Sequence, residues 1–214
     1  MNGWQTVLLV VAFGTLAWFA IGMGWNLRRG RKALRWLQRA LPRLGARTTF
    51  QWLGSSVVEL RINDAEAPFV RATLLVVLEP RDVPWLWLGA HLRGRRDMLV
   101  LRGELAHVPS LELDLLAPRS WSRTLAKTAP EWRAETLAEL ELAAPVASLP
   151  RCRTLAARAI ADELAPLALS FERLLVRKKS PQLELHVRLP DEARADPERW
   201  VHAFCSLGAR VGAS

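Results

Sequence analysis

The chain has 214 residues, 50% hydrophobic and 24% charged, with 30 basic and 21 acidic side chains and a net charge of +9. That composition excludes a disordered or fibrous chain, the length suits one globular unit with a short appendage, and two cysteines are too few for a disulfide scaffold. The charge is localised: residues 1–58 carry eight basic side chains and no acid, against 22 basic and 21 acidic ones in the remainder. A nearly neutral remainder argues against nucleic acid as a partner and moves the question to the first quarter of the chain.

From Met1 to Leu27 there is no ionisable side chain. The run from Thr6 to Trp25, TVLLVVAFGTLAWFAIGMGW, is long enough as a helix to cross roughly 30 Å of hydrocarbon, and residues 1–27 are predicted to be a transmembrane anchor. Trp4 and Trp25 bracket the run, where indoles favour the two interfaces. The basic residues follow the run rather than precede it and no small-residue cleavage site stands between, which disfavours a cleaved signal peptide. The same asymmetry predicts a single-pass protein of the cytoplasmic membrane, with its N-terminus outside and its remaining chain in the cytoplasm. Ala20 and Gly24 form one small-xxx-small pair, a weak cue for helix pairing.

Residues 28–47 are predicted to be a basic, amphipathic juxtamembrane helix. Leu34, Leu37, Leu41 and Leu44 recur at spacings of 3, 4 and 3, with Arg31, Lys32, Arg35, Arg39 and Arg43 on the opposite arc. Two arrangements satisfy this pattern. The leucines and Trp36 lie in the lipid interface while Arg28, Arg29, Arg31, Lys32 and Arg35 bind anionic headgroups, or the leucine stripe packs on the following domain. Pro42 removes a backbone donor and disfavours helix at Leu41, so a break is expected near 41–42.

Residues 48–214 are predicted to be one α+β domain with a mainly antiparallel sheet. Strands are expected at Val57–Ile62, after a Gly54-Ser55-Ser56 turn, and at Phe69–Glu79, Met98–Leu105, Leu111–Leu116, Phe171–Val176 and Leu183–Leu189. The short loops between them favour antiparallel neighbours. A helix is expected over Leu149–Leu164, and a last one from Pro197 to about Leu207, with Asp196 as N-cap and Gly208 beyond its end. Residues 119–147 give conflicting signals: Pro130 could open a helix, whereas Thr136–Ala143 alternates like a strand.

Val83–Leu92, VPWLWLGAHL, carries Trp85 and Trp87 but no Lys, Arg, Asp or Glu, and runs into Arg93-Gly94-Arg95-Arg96. Asp82 and Pro84 suit a short helix, although two tryptophans at spacing two also suit a strand. Its apolar bulk is expected in the core, with a second membrane contact through Trp85 and Trp87 as the alternative.

No motif for nucleotide, metal or nucleophile chemistry is present, the four histidines are scattered, and Cys152 and Cys205 read as ordinary thiols. Arg173 with Arg177-Lys178-Lys179 reads as a charged strand end. No catalytic residue, metal site or cofactor is therefore expected. The sequence points to a non-catalytic membrane-tethered module, an accessory subunit or adaptor whose partners are the bilayer and a membrane or cytoplasmic protein. The alternatives are a membrane-bound enzyme acting on lipid or lipid-linked substrates, and a sensor of anionic lipids.

Overall fold

An uncharged run has no local reason to stop being helical where its first arginine appears, and it does not. The computed structural model describes residues 2–118, 120, 130–167 and 170–213. In it a single helix, α1 (Gly3–Leu37), carries both the apolar run and the first basic residues, so the segments divided by charge after residue 27 are continuous. Leu37 is its last residue because Pro42 lacks an N–H and its ring clashes with the carbonyl one turn back, at Gln38. The break thus falls four residues before Leu41, and the chain turns through a short 3-10 segment at Leu41–Arg43.

Among the described residues nine strands follow: β1 (Thr48–Trp52), β2 (Val57–Ile62), β3 (Phe69–Val77), β4 (Met98–Leu105), β5 (Leu113–Leu116), β6 (Trp132–Leu137), β7 (Leu140–Pro145), β8 (Phe171–Val176) and β9 (Leu183–Arg188). Further α-helices among the described residues are α2 (Pro84–Leu92), α3 (Leu149–Ala159) and α4 (Pro197–Gly212). The strands form one antiparallel sheet in the order β1-β2-β3-β4-β9-β8-β5-β7-β6, and the fold is α+β. Of the 119–147 stretch, residues 119 and 121–129 lie outside the described residues. The alternation there is the truer signal, for Thr136–Ala143 supplies parts of β6 and β7. Ala138 and Glu139 between them have φ of 48° and 68°, the handedness that a two-residue hairpin loop needs.

Period-two alternation divides the sheet into two faces. On one, Val58, Leu60, Leu74, Val76, Leu99, Leu101, Leu174 and Leu185 are buried beneath α3, α4 and the C-terminal end of α1. α1 contributes Ala33, Trp36 and Leu37, and the turn after it Ala40, Leu41 and Leu44. The leucine stripe of residues 34–44 therefore faces the core. Trp36, expected against lipid, lies there too: it is 2% exposed, donates its indole N–H to the Ala195 carbonyl at 2.7 Å and meets Trp200 edge-on. It shares the helical arc of Ala33, Leu37 and Ala40, and that arc is claimed by the sheet.

α4 runs past Gly208 to Gly212 rather than ending near Leu207. Asp196 does cap its start, accepting from the Glu198 N–H at 3.1 Å. Gly208 serves as a close-approach residue, since a Cβ there would stand 2.6 Å from the Phe69 ring, which itself stacks on Phe204.

Candidate functional site

The first half of α1 touches almost nothing: Val7, Val10, Phe13 and Leu16 are all exposed. Contact with the domain begins at Trp18, whose indole N–H donates to the Arg81 carbonyl at 3.0 Å. At Gly22 the helix comes so close that a Cβ would lie 2.2 Å from the same carbonyl oxygen. One turn on, Asn26 is wholly buried, its amide donating to the Glu79 carbonyl at 3.1 Å and accepting from Arg81 at 3.2 Å.

Around this seam the strand ends and the loop before α2 supply carboxylates. Asp97 accepts from the Glu79 N–H at 2.9 Å, from both terminal nitrogens of Arg81 at 2.9 and 3.1 Å, and from Arg29 Nε at 3.3 Å. Arg29 also grips Glu192, whose oxygens lie 2.5 and 2.6 Å from Nη1, and Lys32 reaches Glu192 at 3.2 Å. Burial works against the Arg29 charge, but the Glu192 and Asp97 carboxylates outweigh it and hold its pKa above the ordinary value. A network of this kind adds little net stability over an apolar seam, because desolvation offsets attraction. Its directional contacts join the base of α1 to the strand ends.

Glu79 is the second hub. Only 2% exposed, it accepts from the Trp87 indole at 2.7 Å and faces His91 Nδ1 at 3.2 Å, so two residues of α2 hang from one carboxylate. Trp87 and His91, four apart, occupy the inward side of α2; Trp85, Leu88 and Leu92, at spacings of 3 and 4, occupy the outward side and are exposed together with Leu86. None of the ten residues from Val83 to Leu92 is buried, so their expected place in the core is wrong. The polar anchors at positions 87 and 91 turn the apolar side outward.

Between α1 and α2 lies a cleft of about 660 Å³, open along one side. Its walls include Trp18, Ile21, Trp25 and Trp87, and Arg29, Glu79, Arg81, Arg96 and Asp97 line its charged end. The Trp18 and Trp87 rings lie 6.2 Å apart, and the Arg81 guanidinium stands 5.9 Å from the Trp25 ring centroid.

The predicted contact residues are thus divided by the fold. Trp4, Trp25 and Trp85 are exposed, as are Arg28, Arg31, Lys32 and Arg35; Arg29 and Trp87 are half-buried and engaged with carboxylates; Trp36 is internal. Asn26, Glu79, Arg81, Asp97 and Glu192 escaped sequence reasoning. The available signals were an isolated Asn one turn beyond Gly22 and the charged Glu79-Pro80-Arg81-Asp82 run ahead of an uncharged tryptophan segment.

The opposite face of the sheet holds a separate charged cluster. Asp114, wholly buried, accepts from Arg173 at 2.7 and 2.9 Å. Glu184 takes Arg102 at 3.2 Å, Arg177, and His186 at 3.2 Å. Arg173 and Arg177 are therefore held by carboxylates, while Lys178 and Lys179 project. Desolvation, reinforced by Arg173 and Arg102, lowers the His186 pKa to about 4. Burial raises that of Cys152, which packs as a small apolar group. Among the described residues, no three His, Cys, Asp or Glu side chains are arranged to hold a metal ion. In comparisons with protein-family models and with curated proteins, the sequence matches none.

Proposed function

We propose that the protein is a membrane-tethered, non-catalytic module that holds its α+β domain in a set orientation against the cytoplasmic face of a membrane, as an accessory subunit or adaptor for another protein. In this reading residues 6–25 of α1 span the bilayer, the N-terminus lies outside and the basic residues from Arg28 onward stay at the inner headgroups. The carrying observation is that α1 is no flexible leash. It runs 35 residues without a break, bare along its apolar half and clamped through Asn26, Arg29 and Trp36 along the rest.

A second contact with the bilayer belongs to the same reading. Trp18 precedes Trp25 by seven residues, roughly 10 Å along a helix. If Trp25 sits at the inner interface, α2, held beside Trp18, lies at about the 5–10 Å depth of an interfacial amphipathic helix. Trp85, Leu86, Leu88 and Leu92 then enter lipid, and Arg93, Arg95 and Arg96 follow at headgroup level.

The tether is tested by alkaline carbonate extraction and by thiol labelling of intact cells carrying Asn2→Cys or Val108→Cys. Retention in the membrane pellet is expected, with the Asn2→Cys thiol labelled from outside and the Val108→Cys thiol labelled only after permeabilisation; the reverse pattern overturns the topology. For the adaptor role the measurement is gentle detergent extraction with mass spectrometry of co-purifying proteins. A reproducible stoichiometric partner is expected, and repeated isolation of the chain alone counts against it.

A further inference from the structure

We propose that the cleft between α1 and α2 binds one anionic membrane lipid, its phosphate-bearing headgroup against Arg96 and an acyl chain along Trp18, Ile21 and Trp25. This rests on the reading that α1 spans a bilayer and α2 lies in its interface. The cleft joins two chemistries at one boundary. Ile21 is 68% and Trp18 42% exposed on the side that faces acyl chains in that reading, so a polar solute would leave this wall unsatisfied where an acyl chain covers it. The volume of about 660 Å³ falls within the range of sites that take small ligands.

The preference for an anion rests on Arg96. Four arginines line the cleft, Arg29, Arg81, Arg96 and Arg188, beside Glu79 and Asp97, and Glu192 and Glu172 stand behind Arg29 and Arg188. Arg29 and Arg81 already bind Asp97, and Arg188 pairs with Glu172. Arg96 is different. Its Nη1 donates to the main-chain oxygens of His91 and Arg95 at 2.9 and 2.7 Å, and it reaches Glu79 only as a long ion pair, 4.0 Å from the nearest carboxylate oxygen. Two carbonyls aim the guanidinium, the long ion pair with Glu79 neutralises it less than direct contact would, and its planar fork suits a phosphate. A zwitterionic headgroup adds a cation beside the Arg96 guanidinium, which sets the preference between lipid classes.

The experiment uses the full chain, delipidated in mild detergent and examined by native mass spectrometry with phosphatidylglycerol or phosphatidylcholine of the same acyl chains. One phosphatidylglycerol per chain is expected, retained about fivefold more strongly than phosphatidylcholine. Arg96→Gln should erase that preference, and Ile21→Trp, which fills the apolar wall without altering charge, should reduce retention of both lipids; each variant is paired with a circular dichroism spectrum matching the parent. Millimolar inorganic phosphate should leave the lipid bound. Equal retention of the two lipids by the parent chain, an undiminished preference in Arg96→Gln, or undiminished retention of both lipids in Ile21→Trp overturns the proposal. Displacement by inorganic phosphate also overturns it and assigns the site to a free phosphate. Release of the parent chain from vesicles by alkaline carbonate defeats the tether and this proposal together, whereas resistance to carbonate with equal lipid retention defeats this proposal alone.

Discussion

The indole N–H of Trp18 donates to the main-chain oxygen of Arg81 across 3.0 Å, joining the apolar half of α1 to the loop that enters α2. The two residues are 63 apart in sequence, and their contact brings an uncharged helix and an uncharged tryptophan segment to one level. Both of those segments are exposed in the folded chain. The seam between them is the feature on which the first two predictions bear.

Gly22→Ala should part that seam. The new Cβ would meet the Arg81 oxygen at 2.2 Å, the Arg81 carbonyl carbon at 2.5 Å and Asp82 Cα at 2.7 Å, all main-chain atoms that cannot rotate aside. A cost of about 1–3 kcal/mol is expected, a fall in melting temperature of roughly 3–10 °C in detergent. Gly24→Ala, where a Cβ meets nothing within 4 Å, is the control and should melt as the parent does.

Asn26→Leu keeps the side chain's approximate size but removes the amide that bonds the Glu79 carbonyl and Arg81. Leaving those buried groups short of a partner should cost about 2–3 kcal/mol in denaturant unfolding. A loss below about 0.5 kcal/mol would show that the seam is held elsewhere.

Trp85→Ala with Leu88→Ala should leave stability in detergent within about 0.5 kcal/mol of the parent, because neither side chain is buried. A nitroxide attached at Leu88→Cys should, in vesicles, collide more with oxygen than with a water-soluble nickel complex. Preferential collision with nickel would remove α2 from the bilayer.

His186 gives the fold a defined weakness to acid. Its pKa falls from about 6.5 unfolded to about 4 folded, so the ring is neutral in the fold at pH 7 and its contact with Glu184 is a hydrogen bond. Between those values the unfolded chain binds the extra proton, so the contribution is complete above pH 6.5 and declines as pH falls toward 4. From pH 7 to pH 5 this residue should account for about 2 kcal/mol of lost stability. Denaturant titrations of the parent and His186→Gln at both pH values measure it; equal losses in the two would place the acid sensitivity elsewhere.

The elements that were legible are those whose pattern is local. β2 and β4 occupy the residues that their alternation indicates, and Asp196 and Pro197 mark the start of α4. The end of α4 was not legible, since Gly208 could have been a stop signal or a place where a ring presses on a helix, and only Phe69, 139 positions away in the chain, decides between them. Trp36 was misjudged for the same reason: an indole among arginines is amphipathic by itself, and the sheet that covers it is contributed by later strands.

Length and composition established, without coordinates, that nearly all the excess charge follows one uncharged run and that the run is long enough to cross a bilayer. Hydropathy and charge are sums over neighbouring residues, so a sequence carries them in full. The tertiary structure alone decided that this helix is built into the domain it carries and that the tryptophan segment faces outward. Those outcomes depend on single pairs such as Asn26 with Glu79 and Trp18 with Arg81, and a directional contact between residues more than fifty positions apart leaves no periodicity in the chain.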